Sequence, residues 1–179
     1  MATVLVLLAE GVEEIEAITP IDLLRRAGTE VTLASLTEQP HVTGRSGITM
    51  HADVALSEIG SHLFDLLFIP GGPGVKNLRA DPRVDSVVRS HASAGKWLAA
   101  ICAAPTVLNA AGLLEGRRYT AHFSVAGELP DILADQRVVV DGNILTSRGA
   151  GTALDFGLLL VEKLVSAEKA RDIARSICA

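Results

Sequence analysis

Lys96-Trp97-Leu98-Ala99-Ala100-Ile101-Cys102-Ala103-Ala104-Pro105 packs a strand, a sharp junction and the start of a helix into one stretch. Trp97 to Ile101 is a short, unbroken apolar run, the pattern of a strand buried on both faces. Pro105 suits the first turn of a helix that runs to Ala111 and is closed by Gly112. The alternation continues outward in both directions. Thr3 to Ala9 is apolar and β-branched, a helical stretch follows to Arg26, and Gly28 sits at its stop. Glu30 to Ser35 is a second strand, and residues 39–57 are mixed, with Gly44 and Gly47 as turn signals. Leu66 to Ile69 is a strand that enters Pro70-Gly71-Gly72-Pro73-Gly74, and Asp81-Pro82 opens a helix to about Ala94. Val138 to Asp141 and Ile144 to Ser147, joined by Gly142-Asn143, form a hairpin. Helices over about 152–164 and 167–177 complete the pattern. Such alternation predicts an α/β fold with a mostly parallel sheet and helices on both faces.

The chain has 179 residues, and at about 150 residues per domain this is one domain, 1–179. Apolar residues make up 49% and charged residues 21%, so the chain is globular rather than disordered. Aromatics are only 3%, so the core is aliphatic. A net charge of −5 argues against a nucleic-acid partner. No apolar run is long enough to span a membrane. The cysteines are two, Cys102 and Cys178, with no C-x-x-C pairing, which points to a reducing, cytoplasmic setting.

In sheets of this kind ligands bind outside the carboxyl ends of the strands. The residues there are Glu10-Gly11, Pro70-Gly71-Gly72 and Cys102. Two readings of Cys102 stand at this point. A free cysteine is commonly a small buried hydrophobe. At a strand-to-helix turn flanked by Ala100 and Ala104 it is equally a nucleophile, with helix N–H groups and the dipole favouring thiolate. His122 is the one histidine after Cys102; it follows Arg118-Tyr119-Thr120-Ala121, read as a short strand, and on the residues alone a surface-loop histidine is the plainer reading. On a helical wheel Glu16 falls in the apolar arc with Ala17, Pro20, Ile21, Leu23, Leu24 and Ala27. A buried carboxyl there has a raised pKa and can donate a hydrogen bond to a thiolate. The alternative is a first-turn acid facing the dipole, the role expected of Glu13 and Glu14. Ile15 and Ile18 fall on the opposite, polar face, a hint of a subunit contact. No phosphate loop and no cluster with metal-ligand spacing is present, so neither cofactor nor metal is expected.

Taken in order, these motifs resemble the ThiJ/PfpI family, in its DJ-one-like branch. The resemblance runs from about Val4 to about Leu164. It rests on Ala9-Glu10-Gly11-Val12-Glu13-Glu14-Ile15-Glu16, Asp22 to Gly28, Pro70-Gly71-Gly72, Ala100 to Pro105, and Leu145-Thr146-Ser147-Arg148-Gly149. It implies a flavodoxin-like three-layer sandwich and a homodimer with the first helix in its interface. It implies that Cys102 is the reactive residue of a nucleophile elbow, that Glu16 is its protonated partner, and that His122 lies near the pocket. Gly72 and Ala103 would supply backbone N–H groups around the sulfur. Arg45 and Arg26 match arginines near the interface and pocket.

The departures narrow the function. Peptidase-like relatives carry His directly after the cysteine; here it is Ala103. Class I glutaminases need a late His-x-Glu, and no His follows His122. Thr43 and Met50 occupy positions where some members carry oxidisable cysteines, so redox chemistry would rest on Cys102. What the resemblance implies is a cofactor-free glyoxalase or protein deglycase acting on methylglyoxal, glyoxal and their protein adducts. The alternative is an oxidative-stress sensor or chaperone in which Cys102 is oxidised to sulfenic or sulfinic acid.

Overall fold

In the strand β1 (Thr3–Leu8), Val4, Leu5, Val6, Leu7 and Leu8 are all buried, and their side chains alternate between two cores. Val4, Val6 and Leu8 enter one; Leu5 and Leu7 enter the other. The structure, a computed structural model, describes all of residues 1–179. It continues with α1 (Glu14–Arg26), β2 (Glu30–Ser35), β3 (His41–Thr43), β4 (Thr49–His51), β5 (Val54–Ala55) and α2 (Leu56–Ile59). Then come β6 (Leu66–Ile69), α3 (Val75–Ala80), α4 (Pro82–Ser93), β7 (Trp97–Ile101) and α5 (Pro105–Ala110). The hairpin β8 (Val138–Asp141) and β9 (Ile144–Ser147) precedes α6 (Ala153–Leu164) and α7 (Ala167–Ser176).

Seven strands form one sheet in the order β5-β2-β1-β6-β7-β9-β8, and β3 and β4 form a separate antiparallel pair. Every pairing in the large sheet is parallel except β8 with β9. The two cores hold 25 and 22 buried residues, so the faces are covered almost equally and the fold is the flavodoxin-like three-layer sandwich. Helices α2, α3, α4 and α5 cover one face; α1, α6 and α7 cover the other. Strand order reverses between β1 and β6, where the chain first winds one way and then the other. That switch point opens a crevice at the strands' carboxyl ends. No helix is long and apolar enough to cross a membrane.

Residues 118–121 are not a strand. The Thr120 N–H donates to the Thr146 side chain at 2.9 Å and the His122 N–H to the Cys102 carbonyl at 2.9 Å, so the segment lacks a regular ladder partner. Helices α2 and α3 were not foreseen; α3 starts straight out of the Pro-Gly-rich loop, with Gly74 as its cap. Pro20 sits inside α1 without ending it. His91 is buried, donates from Nδ1 to the Val87 carbonyl at 2.8 Å and accepts the Phe64 N–H on Nε2 at 3.0 Å. It is a neutral core residue, and burial holds its pKa down.

Helix α1 is pressed against α6 at Gly157. A Cβ there would lie 2.6 Å from Leu23 Cδ1 and 3.0 Å from Pro20 Cα. Glycine inside a helix costs about 1 kcal/mol relative to alanine, so the close approach explains its presence. Gly157→Val is expected to lower the unfolding free energy by about 1–3 kcal/mol through overpacking, read from the urea midpoint at unchanged slope.

Candidate active site

Cys102 follows β7 and has φ = +65°. For a residue with a side chain this left-handed conformation costs about 1–2 kcal/mol, so the neighbourhood must impose it. Its N–H donates to the Ser147 carbonyl and its carbonyl accepts the His122 N–H, both at 2.9 Å. Ala104 donates back to Ile101 at 3.0 Å and α5 begins at Pro105. The chain therefore turns sharply and leaves the sulfur at the mouth of the crevice, half-buried.

Glu16 comes from the first turn of α1 and is 1% exposed. The Gly71 N–H donates to its Oε2 at 3.0 Å. The Ala150 N–H and the Cys102 thiol complete its surroundings. Gly71 is required by space: a Cβ would lie 2.6 Å from the Cys102 Cβ and collide with the Glu16 carboxyl. Gly72 adopts φ = +99°, and a Cβ there would lie 2.5 Å from the Glu13 nitrogen. The Pro70-Gly71-Gly72 loop is thus the place where β6 lets α1 and the elbow meet.

Burial pushes the Glu16 carboxyl up to about 7. Burial also pushes the Cys102 thiol up, and the charge and hydrogen bond of Glu16 add to this, to about 12; the N–H groups of Ala103 and Gly72 oppose the rise. The thiolate foreseen from the helix dipole is therefore not set by the helix. The two groups titrate as a pair that holds one proton between them from about pH 7 to about pH 12. Thiolate exists there when the proton sits on Glu16, whose O–H then faces the sulfur.

His122 lines the same cleft as Cys102 and Glu16, as do Arg45, Glu13, Gly72, Ala103 and Ser124. Its Nδ1 accepts the Ser124 N–H at 3.2 Å and lies 2.8 Å from Ser124 Oγ, which leaves the neutral ring's proton on Nε2. Arg45 is tied to Glu13 at 3.3 Å, and its N–H donates to the Val12 carbonyl at 2.9 Å. Within one chain Arg26 does not line the cleft. It lies ten residues along α1 from Glu16, about 15 Å at 1.5 Å per residue, and pairs with Asp22 at 2.6 Å. Glu14 is not a solvated first-turn acid: it is buried and accepts the Ser46 N–H at 2.8 Å and the Ile48 N–H at 3.3 Å, clipping the β3–β4 turn to α1. Ser124 and the Ala150 N–H carried no motif. Their parts depend on chain contacts that sequence spacing does not reveal.

Residues 2–163 match the model of the DJ-1/PfpI family. The chain belongs to the DJ-1/PfpI family. Among its relatives in the family, Drosophila melanogaster protein dj-1beta is 40% identical over 177 residues, spanning 97% of this chain and 95% of its own. The crystal structure of Drosophila DJ-1beta superposes with a TM-score of 0.96 over 99% and 98% of the two chains. The Caenorhabditis elegans glutathione-independent glyoxalase DJR-1.2 is 36% identical, over 94% of this DJ-1/PfpI chain and 91% of its own. The oxidised Toxoplasma gondii DJ-1 structure has a TM-score of 0.94 at 36% identity, over 99% and 98% of the chains.

Two measurements test the shared proton. Alkylation of Cys102 by iodoacetamide is expected to rise with pH through a midpoint near 7, where the pair loses its first proton. In Glu16→Gln the thiol must ionise alone, and the midpoint moves above the ordinary 9.0; a midpoint that stays near 7 in the variant would sink the coupling. Stability carries the opposite signature. A raised carboxyl favours the folded state fully below the unfolded value of 4.5, and this is lost as pH rises through about 7. Unfolding free energy should fall by on the order of 3 kcal/mol across that window, and Glu16→Gln should flatten the fall.

Proposed function

We propose that this DJ-1/PfpI member is a glutathione-independent glyoxalase that uses Cys102 as its nucleophile on methylglyoxal and glyoxal. The observation that carries the reading is a buried carboxyl, Glu16, packed beside the side chain of a cysteine held at a strained elbow. With the proton on Glu16, the Cys102 thiolate attacks the aldehyde carbon. A C–S bond forms, the carbonyl π pair moves onto oxygen, and the Gly72 and Ala103 N–H groups stabilise that oxygen until it is protonated. In the hemithioacetal, Glu16 with His122 takes the proton from the former aldehyde carbon and returns it to the adjacent carbonyl carbon. No oxidant is consumed, because one carbon is oxidised as its neighbour is reduced. The product is a 2-hydroxyacyl thioester. Water cleaves it to lactate from methylglyoxal or glycolate from glyoxal, and the thiol is regained. The same attack on early glycation adducts of proteins gives the deglycase activity.

Arg45 lines the cleft beside Glu13 and orients the polar end of the substrate. The exposed Ile15 and Ile18 on α1, 54% and 42% accessible, support a homodimer through that helix. A second reading uses the same thiol: peroxide oxidation to a sulfinate, with protonated Glu16 donating to a sulfinate oxygen. The similarity to the oxidised Toxoplasma gondii DJ-1 structure favours keeping it.

Lactate formation from methylglyoxal without glutathione is the deciding assay. Wild type is expected to form lactate, Cys102→Ser to form none, and Glu16→Gln to lose about 100-fold or more in kcat with its fold intact by circular dichroism. Lactate from Cys102→Ser at the wild-type rate overturns the mechanism. No lactate from freshly reduced wild type leaves the redox reading.

A further inference from the structure

Beside the Cys102 cleft, itself about 350 Å³, lies a larger cavity of about 540 Å³. The two share His122 and Ala150. Gly149 is the strip of chain between them: a Cβ there would lie 3.4 Å from His122 Cδ2, 3.6 Å from Glu16 Oε1 and 4.0 Å from the Cys102 Sγ. Methylglyoxal and glyoxal are too small to extend past that strip, so neither uses the second cavity.

The walls of this cavity have a definite chemistry. Phe123, Leu129 and Ile132 make it apolar, while Arg137 and Arg148 are its only charged residues, and no carboxylate lines it. In a protein of net charge −5, that is a local reversal of sign. The Arg137 guanidinium is already committed, to Asp155 at 2.6 Å and the Gly151 carbonyl at 3.0 Å. Arg45, in the neighbouring cleft, is committed to Glu13. Arg148 is exposed, bonded through its backbone N–H to the Arg137 carbonyl, and its guanidinium has no partner. Phe123 is 81% exposed at the same mouth, with its ring 4.1 Å from that of His122.

Resting on the reading of Cys102 as a dicarbonyl-attacking centre, we propose that this cavity is a tail subsite for 2-oxoaldehydes whose substituent runs through an apolar linker to a carboxylate. The aldehyde carbon bonds to Cys102, the linker passes Gly149 and lies against Phe123 and Leu129, and Arg148 takes the carboxylate. An Arg–carboxylate pair is charge-assisted and two-pronged, the strongest use of an unpaired guanidinium beside apolar walls. The reaction at the aldehyde is the isomerisation and hydrolysis written above, and the tail takes no part in it.

The test compares kcat/KM for methylglyoxal, 4,5-dioxopentanoate, 6,7-dioxoheptanoate and the methyl ester of the last. Wild type is expected to prefer at least one carboxylate-tailed substrate over methylglyoxal by about tenfold or more. Arg148→Gln should reduce that preference about tenfold, Arg148→Lys should restore part of it, and the ester should show no dependence on residue 148. A preference that is absent in wild type, or unaltered in Arg148→Gln, overturns the subsite. A second readout needs no turnover: the rate of Cys102 labelling by 6-maleimidohexanoate relative to N-ethylmaleimide. The ratio should fall in Arg148→Gln and in the same ratio partly recover in Arg148→Lys; an equal ratio in wild type and Arg148→Gln overturns the proposal. Failure of every 2-oxoaldehyde with wild type defeats the glyoxalase reading by itself, and the labelling ratio still decides the subsite.

Discussion

The left-handed backbone of Cys102 is the constraint on which the site depends. At φ = +65° the residue sits in a conformation that a side chain disfavours, and it stays there because Ser147 and His122 hold both of its peptide groups. Those partners come from the end of β9 and from the segment that follows residues 118–121. The hydrogen bonds that strain the cysteine therefore also bring His122 beside it. The sulfur can meet Glu16 because Gly71 leaves room for both. A side chain at Gly71 would separate the carboxyl from the thiol, and the elbow would retain its geometry but lose its acid.

Two buried glutamates in one helical turn show how the environment divides their roles. Glu14 and Glu16 are 4% and 1% exposed. Burial works against the charge on Glu14, but the N–H groups of Glu14, Ser46 and Ile48 outweigh it and hold the carboxyl below its ordinary range. Glu16 also accepts a backbone N–H bond, from Gly71, yet burial dominates and Glu13 adds a like charge. One carboxylate is a structural clip for the β3–β4 turn. The other is pushed up to about 7 by its burial, at a cost to stability near neutral pH that the clipped carboxylate does not carry.

The packing of α1 links these roles to the fold. Its inner face, with Ala17, Pro20 and Leu24, meets α6 and the sheet, and the Gly157 contact brings the two helices close. Glu16 is on that inner face, in the first turn, so the packing that secures the helix also seals the carboxyl from water. Ile15 and Ile18 remain on the outer face. A single amphipathic helix thus carries a core surface, an acid and an exposed apolar strip in separate sectors.

Period and composition were enough to place most of the framework. Thr3–Leu8, Glu30–Ser35, Leu66–Ile69 and Trp97–Ile101 are apolar runs bounded by turn residues, and local preference agrees with burial in each. The wheel placed Glu16 among apolar neighbours, and Cys102 stood out because a strand must turn into a helix around it. Arg26 lies on the same helix as Glu16 but ten residues further along, so within one chain the helix axis carries it out of the cleft. Residues 118–121 resembled a strand in composition, but the Thr146 side chain and the elbow carbonyl took the hydrogen bonds a ladder would need. Glycines in residues 70–74 hid a helix start, because local propensity does not register a turn stabilised by its neighbours. The proton shared by Glu16 and Cys102, and the unpaired Arg148 beside Phe123, belong to the tertiary structure alone. Hydrophobic periodicity is a local property that the amino-acid order carries directly, whereas burial of a carboxyl against a thiol depends on distances between segments that only chain packing decides.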